Sequence, residues 1–115
     1  MLRVGLLYSR IRVEEKLPTE EFNRNPFVAV VRINNGTNFD ITLKPVDVDI
    51  VVERSVSYSR GLYLSRIFEA NGVSVFNPSY ITEHCRDTYI TSQLLAQNRL
   101  PTLRVLMAFD PQAAL

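Results

Sequence analysis

Tryptophan is missing from this sequence, and cysteine, histidine, lysine and glycine are scarce. Each shortage removes a class of function. A single cysteine, Cys85, cannot close an intramolecular disulfide, which suits a reducing, cytoplasmic compartment. His84 and Cys85 are the only residues of their kinds, so they cannot supply the three or four ligands that zinc requires. The glycines are Gly5, Gly36, Gly61 and Gly72, too far apart for a GxGxxG turn or a P-loop. Thirteen Lys plus Arg face twelve Asp plus Glu, a net charge of +1, without the basic excess of a dedicated nucleic-acid binder. No apolar run approaches the roughly 20 residues of a membrane span. Met1 to Leu7 carries Arg3 inside a short apolar run and has no small-residue cleavage site, so it reads as a first strand and not a signal peptide. Lysine is limited to Lys16 and Lys44, against eleven arginines.

What is present is one globular domain. The chain has 115 residues, 46% hydrophobic and 22% charged, enough to bury a core. Apolar runs alternate with helical patterns. Leu2–Tyr8, Phe27–Ile33, Val48–Glu53, Val73–Phe76 and Val105–Phe109 read as strands. Phe39, Ile41 and Leu43 alternate with Asp40 and Thr42, which predicts a short edge strand after the turn residues 34–38. Residues 14–24 have helical composition broken by Pro18, so that helix kinks there or starts late. Ser55 to Arg60 reads as a polar loop, and Leu62–Ala70 as a helix stopped by Asn71-Gly72. Asn77-Pro78 predicts a cap and first residue for a helix ending near Cys85. Asp87 caps the next helix, which turns Ile90, Leu94 and Leu95 inward and ends at 98–101. Strands separated by helices predict βαβ units and a mainly parallel sheet of about five strands. Ligands of such sheets bind at the carboxyl ends of strands near a switch in strand order, which singles out loops 9–12, 54–61 and 77–79. Residues 110–115 look like a helix just begun, with Asp110 as cap and Pro111 first. One turn is too short to be stable alone, so we expect one domain over 1–109 and a polypeptide that continues.

The densest polar cluster is Glu53-Arg54-Ser55-Val56-Ser57-Tyr58-Ser59-Arg60-Gly61. Helix-terminal N–H groups, serines and two arginines there make an anion site, with an N-capping serine and solvated arginines as the other reading. Adjacent His84 and Cys85 point about 100° apart on a helix, which does not suit a catalytic pair; a packed Cys and a surface His are expected. Glu14-Glu15 and Glu20-Glu21 read as solvated helix faces. Tyr8-Ser9-Arg10 brings no acids to the end of the first strand, which argues against a response-regulator-like domain.

Leu2-Arg3-Val4-Gly5-Leu6-Leu7-Tyr8-Ser9-Arg10-Ile11-Arg12-Val13-Glu14-Glu15-Lys16 resembles the opening of the lysine-biosynthesis ligases that join α-aminoadipate to an amino-group carrier protein. Glu53-Arg54-Ser55-Val56-Ser57-Tyr58-Ser59-Arg60-Gly61-Leu62 is similar to their most distinctive segment, and 71–77 and 85–87 follow in the same order. More distantly the chain resembles the ribosomal-protein glutamate ligases; both groups belong to the ATP-grasp superfamily. The resemblance implies a three-layer Rossmann-like pre-ATP-grasp domain, the front part of an enzyme that uses ATP and Mg²⁺ to form an amide through an acyl phosphate. It implies the carrier protein and an amino acid as partners, homo-oligomers as one further role, and no nucleic acid or membrane. It places the metal ligands and most of the ATP clamp outside these residues, so this domain alone is expected to hold neither and to be inactive. Carried over residue by residue, Arg54, Ser57, Ser59, Arg60 and Asn77 become candidate substrate-side groups, with no catalytic or metal-binding residue among them. Where the family has a nucleotide-contacting lysine after Asp, this sequence has Arg86-Asp87-Thr88, so Thr88 marks an impaired nucleotide position. Neither Lys16 nor Lys44 is placed to replace it. The alternative is a non-catalytic Rossmann-like binding or structural domain, diverged or engineered from that family.

Overall fold

The computed structural model describes residues 1–43 and 45–114; Lys44 and Leu115 lie outside the described residues. The chain divides into two compact units, residues 1–83 and 84–115. In the first, β1 (Leu2–Tyr8), α1 (Val13–Asn23), β2 (Val28–Asn34), β3 (Ile50–Arg54), α2 (Tyr58–Ala70) and β4 (Ser74–Phe76) form an α/β fold, followed by α3 (Ser79–Cys85), whose last turn crosses the boundary. The sheet is wholly parallel, in the order β2-β1-β3-β4. Leu7 pairs with Ile33 on one side and Glu53 on the other, and Tyr8 with Asn34 and Arg54.

The central strands form because their side chains are apolar on both faces. Leu7, Ile33, Val51 and Val75 meet Leu64 and Phe68 of α2 in the main core, with Val48 and Val73. Val4 and Leu6 point to the opposite face and are also buried. The β1-α1-β2 and β3-α2-β4 connections run in opposite directions from the middle of the sheet. Right-handed crossovers therefore put α1 and α2 on opposite faces, giving three layers. The same reversal creates the switch point between β1 and β3.

α2 begins at Tyr58, four residues before the sequence reading starts it, so Ser59 and Arg60 are first-turn residues and not loop. Its end is fixed by Gly72 at φ +77°, with Gly72 N–H on Glu69 O and Val73 N–H on Phe68 O, both 3.0 Å. Gly61 is needed for a different reason: a Cβ there would come within 2.7 Å of the Glu53 carboxylate. α1 starts at Val13 and runs through Pro18, so the late start is excluded. The expected edge strand over 39–43 is absent. Asp40 instead accepts from both the backbone N–H (2.8 Å) and the hydroxyl (2.6 Å) of Thr42, and a turn replaces the ladder. These bonds hold the Asp40 carboxyl below its ordinary pKa. At α3 the expected Asn77 cap is also replaced: Glu69 of α2 accepts from the Ser79 N–H (2.7 Å) and hydroxyl (2.5 Å).

The second unit holds α4 (Thr88–Gln97), capped by Asp87, whose carboxylate accepts from Tyr89 N–H (2.9 Å) and Ile90 N–H (3.1 Å). None of its residues is buried, and Leu94 is exposed, contrary to the inward face expected. Cys85 is exposed as well, so the expected packed thiol is corrected. The fifth strand over 105–109 does not form: no strand pairs with these residues among those described, and Phe109 is 95% exposed. Apolar composition alone does not make a strand without a partner for its ladder. A 3₁₀ turn at Pro111–Ala114 closes the described chain, with Asp110 accepting from Gln112 N–H at 2.7 Å.

Candidate functional site

At the carboxyl edge of the sheet, the two loops that flank the switch point are tied together by polar side chains. Asn35, one residue past β2, donates through its side-chain NH₂ to Ser9 Oγ and to Ser55 Oγ, each at 2.8 Å. Ser9 Oγ also accepts from the Val56 backbone N–H at 3.0 Å. The ends of β1, β2 and β3 are thus joined through one buried amide, whose own carbonyl oxygen is buried without a partner among the described residues.

Beside this junction is a group of charges. Glu15 stands at the third position of α1 and its side chain is fully buried. One carboxylate oxygen accepts from Arg12 N–H (2.9 Å) and Arg12 Nε (3.3 Å); the other accepts from Arg12 Nη2 (3.1 Å) and lies 3.7 Å from Arg54 Nη2. The backbone bond is half of a capping box. The guanidinium of Arg12 has no acceptor with which to return the other half. The hydrogen bond to Arg12 is the largest of several influences that hold Glu15 below its ordinary pKa, the charges of Arg12 and Arg54 among them, and the same contact raises Arg12. The side chains of Arg12 and Arg54 are 46% and 41% exposed, so both cover Glu15 while facing solvent. Glu14 also lies 3.9 Å from Arg12 Nε, so the two cations here face two carboxylates, one buried and one exposed.

Four of the candidates named from the sequence fall on one stretch. Arg54 ends β3 opposite Tyr8. Ser57 caps α2, accepting from Arg60 N–H at 3.5 Å, and its hydroxyl is 3.5 Å from that of Ser59. Ser59 and Arg60 are exposed in the first turn. Asn77 is separate from them in sequence, exposed just beyond the edge strand β4, and its peptide bond with Phe76 is cis. Thr88 is the exposed first residue of α4, in the second unit. Among the described residues no three His, Cys, Asp or Glu side chains converge as metal ligands. No chemical step is assigned to a metal here.

Sequence reasoning missed Glu15 and Asn35. Sequence pattern makes Glu15 a solvated partner of Glu14, and only one step along the helix separates the buried carboxylate from the exposed one. The usable signal was the Arg12-x-x-Glu15 spacing at a helix start, hidden because arginine is not a usual cap. Turn chemistry describes the backbone of Asn35 and not its side chain.

Residues 4–84 match the family model of the LysX preATP-grasp domain. The chain is 32% identical to the glutamate–LysW ligase ArgX of Sulfurisphaera tokodaii over 99% of its own length and 40% of that protein's. It is also 32% identical, over 60% of its length and 25% of the relative's, to the α-aminoadipate–LysW ligase LysX of Saccharolobus solfataricus. It spans about two fifths of the length of the ArgX relative. Among solved structures, an ATP-grasp RimK domain protein of Sphaerobacter thermophilus superposes with a TM-score of 0.79 at 21% identity, over 96% of this chain and 42% of the other, a likeness of fold.

Proposed function

The chain belongs to the LysX pre-ATP-grasp domain family, and from that premise we propose that it is the N-terminal domain of an ATP-dependent carboxylate–amine ligase of amino-acid biosynthesis. In the whole enzyme ATP with Mg²⁺ supplies the activation, and an amide joins an acidic amino acid to a carrier protein of the LysW kind. Glutamate and α-aminoadipate are the amino acids in the names of the relatives. A cytoplasmic location and self-association belong to the same proposal.

The part we assign to this domain is to hold the amino acid. The observation that carries it is the pair of half-exposed guanidiniums, Arg12 and Arg54, over one buried carboxylate at the switch point. Arginine suits a carboxylate because its planar fork donates two parallel hydrogen bonds. Ser57, Ser59 and Arg60 at the start of α2 add donors and a further positive charge, and Asn77 adds an amide. The test is steady-state kinetics of the ligase that carries this domain. Arg54→Ala should raise KM for glutamate or α-aminoadipate by about tenfold or more, the worth of a charged hydrogen bond. Unchanged KM for both removes the substrate site, and a full-length protein that binds no ATP under Mg²⁺ removes the ligase reading.

One observation favours a second reading, a non-catalytic binding or structural domain: Thr88 offers no charge at the position where the family pattern has a lysine. Thr88→Lys in the full-length protein separates the two. A large gain in ATP affinity marks a weakened ligase, and no change marks a domain that has left nucleotide chemistry.

A further inference from the structure

Glu15 has more partners than a helix cap requires. A cap needs one backbone hydrogen bond, which Arg12 N–H supplies at 2.9 Å. The carboxylate also receives Arg12 Nε at 3.3 Å and Nη2 at 3.1 Å, with Arg54 Nη2 at 3.7 Å. An ionised group with a fully buried side chain is costly unless it is paired, and here the pairing draws one arginine from the start of α1 and another from the end of β3. Two guanidiniums repel each other, and the Glu15 carboxylate in contact with both offsets that repulsion, with Glu14 a further 3.9 Å from Arg12 Nε. Each guanidinium has five N–H donors. Glu15 takes two side-chain donors of Arg12, whose Nε is also 3.9 Å from Glu14, and one nitrogen of Arg54 comes close to it, which leaves other donors on the exposed part of each side chain.

We infer that Glu15 is a positioning residue: its buried carboxylate fixes Arg12 and Arg54 as a preset pair that receives the side-chain carboxylate of the acidic amino acid. The inference rests on the substrate site proposed above. A grip set in advance spares the ordering cost of two long side chains at binding, so its loss is read in substrate affinity and not in the chemical step.

The experiment uses the full-length ligase with glutamate and with α-aminoadipate as varied substrates. Glu15→Gln keeps an acceptor for the Arg12 N–H and removes the charge. Its expected result is a KM about tenfold higher for the amino acid, with kcat within about twofold and KM for ATP unchanged. Glu15→Asp keeps the charge on a shorter arm and should give a smaller rise; it also serves if the glutamine variant does not fold. Thr19→Val is the structural control. It removes the buried 2.7 Å bond from Thr19 Oγ to the Glu15 carbonyl and leaves the carboxylate in place, so KM should stay at the unmodified value.

A normal KM in both Glu15 variants, with a raised KM in Arg54→Ala, overturns the inference and leaves the proposed function standing. An equal rise in Thr19→Val also overturns it, since the effect is then general destabilisation. Normal KM in Glu15→Gln and Arg54→Ala alike, or no amide-forming activity in the unmodified protein, overturns both.

Discussion

Residues 1–83 and 84–115 use their apolar side chains in opposite ways. Every buried hydrophobic residue of the core belongs to the first unit, from Val4 to Val75. In the second, Leu100, Leu103, Val105, Leu106, Met107 and Phe109 are exposed, and none of α4 is buried. Yet α4 has well-made ends: Asp87 at the start and, at the finish, Arg99 N–H on Ala96 O (3.1 Å) and Leu100 N–H on Leu95 O (2.9 Å). The first unit is held by burial, the second by local backbone chemistry, and only the former is worth many kcal/mol.

Core truncation is the strongest way to break this contrast. Phe68 is fully buried in the main core, and Phe68→Ala should cost about 3–5 kcal/mol, whereas Leu106→Ala, at 76% exposure, should change stability by no more than about 0.5 kcal/mol. Urea unfolding of both variants checks it, and similar losses would show that the second unit has a core of its own. Acid gives the next test. Glu15 is held below its ordinary pKa, so its stabilisation is present above the unfolded-state pKa and fades as pH falls through the folded one. Unfolding midpoints measured from neutral pH downward should fall in the unmodified chain, and Glu15→Gln should flatten that limb. An unchanged slope would place the acid sensitivity elsewhere.

The smallest effect compares the two helix ends directly. α2 and α4 close with the same bonding pattern, but one has Gly72 at φ +77° and the other Arg99 at φ +56°. A side chain in this region costs about 1 kcal/mol. Gly72→Ala should therefore destabilise by about 1 kcal/mol, and Arg99→Gly should stabilise by up to that amount. Differential scanning calorimetry on the pair reads opposite shifts in Tm, and shifts of one sign would refute the shared motif.

The same contrast explains what could be read from the sequence. The four strands that form were found within a residue or two, because runs such as Leu2–Tyr8 and Val51–Val52 are apolar on both faces and have neighbours to pair with. Val105–Phe109 has the same composition and fails as a strand, since periodicity does not reveal whether a partner is present. At residues 39–43 the alternation was genuine, but Asp40 bonded to Thr42 and closed a turn first. Arg54, Ser57, Ser59 and Arg60 were legible as a cluster because they are near neighbours in sequence. Glu15 was not, because its second arginine is distant in the chain and only the fold brings them together.

The junction at Asn35 makes the switch-point edge depend on a single proton inventory. The loops after β1 and β3 are both tied to the residue after β2 by the two hydrogen bonds that one side-chain amide donates, each 2.8 Å from nitrogen to oxygen. Asn35→Asp preserves the shape and removes those donors, so the lips of both loops would loosen together rather than one at a time. The Val56 amide, which rests on Ser9 at 3.0 Å, is the place where faster hydrogen exchange would report that shared release.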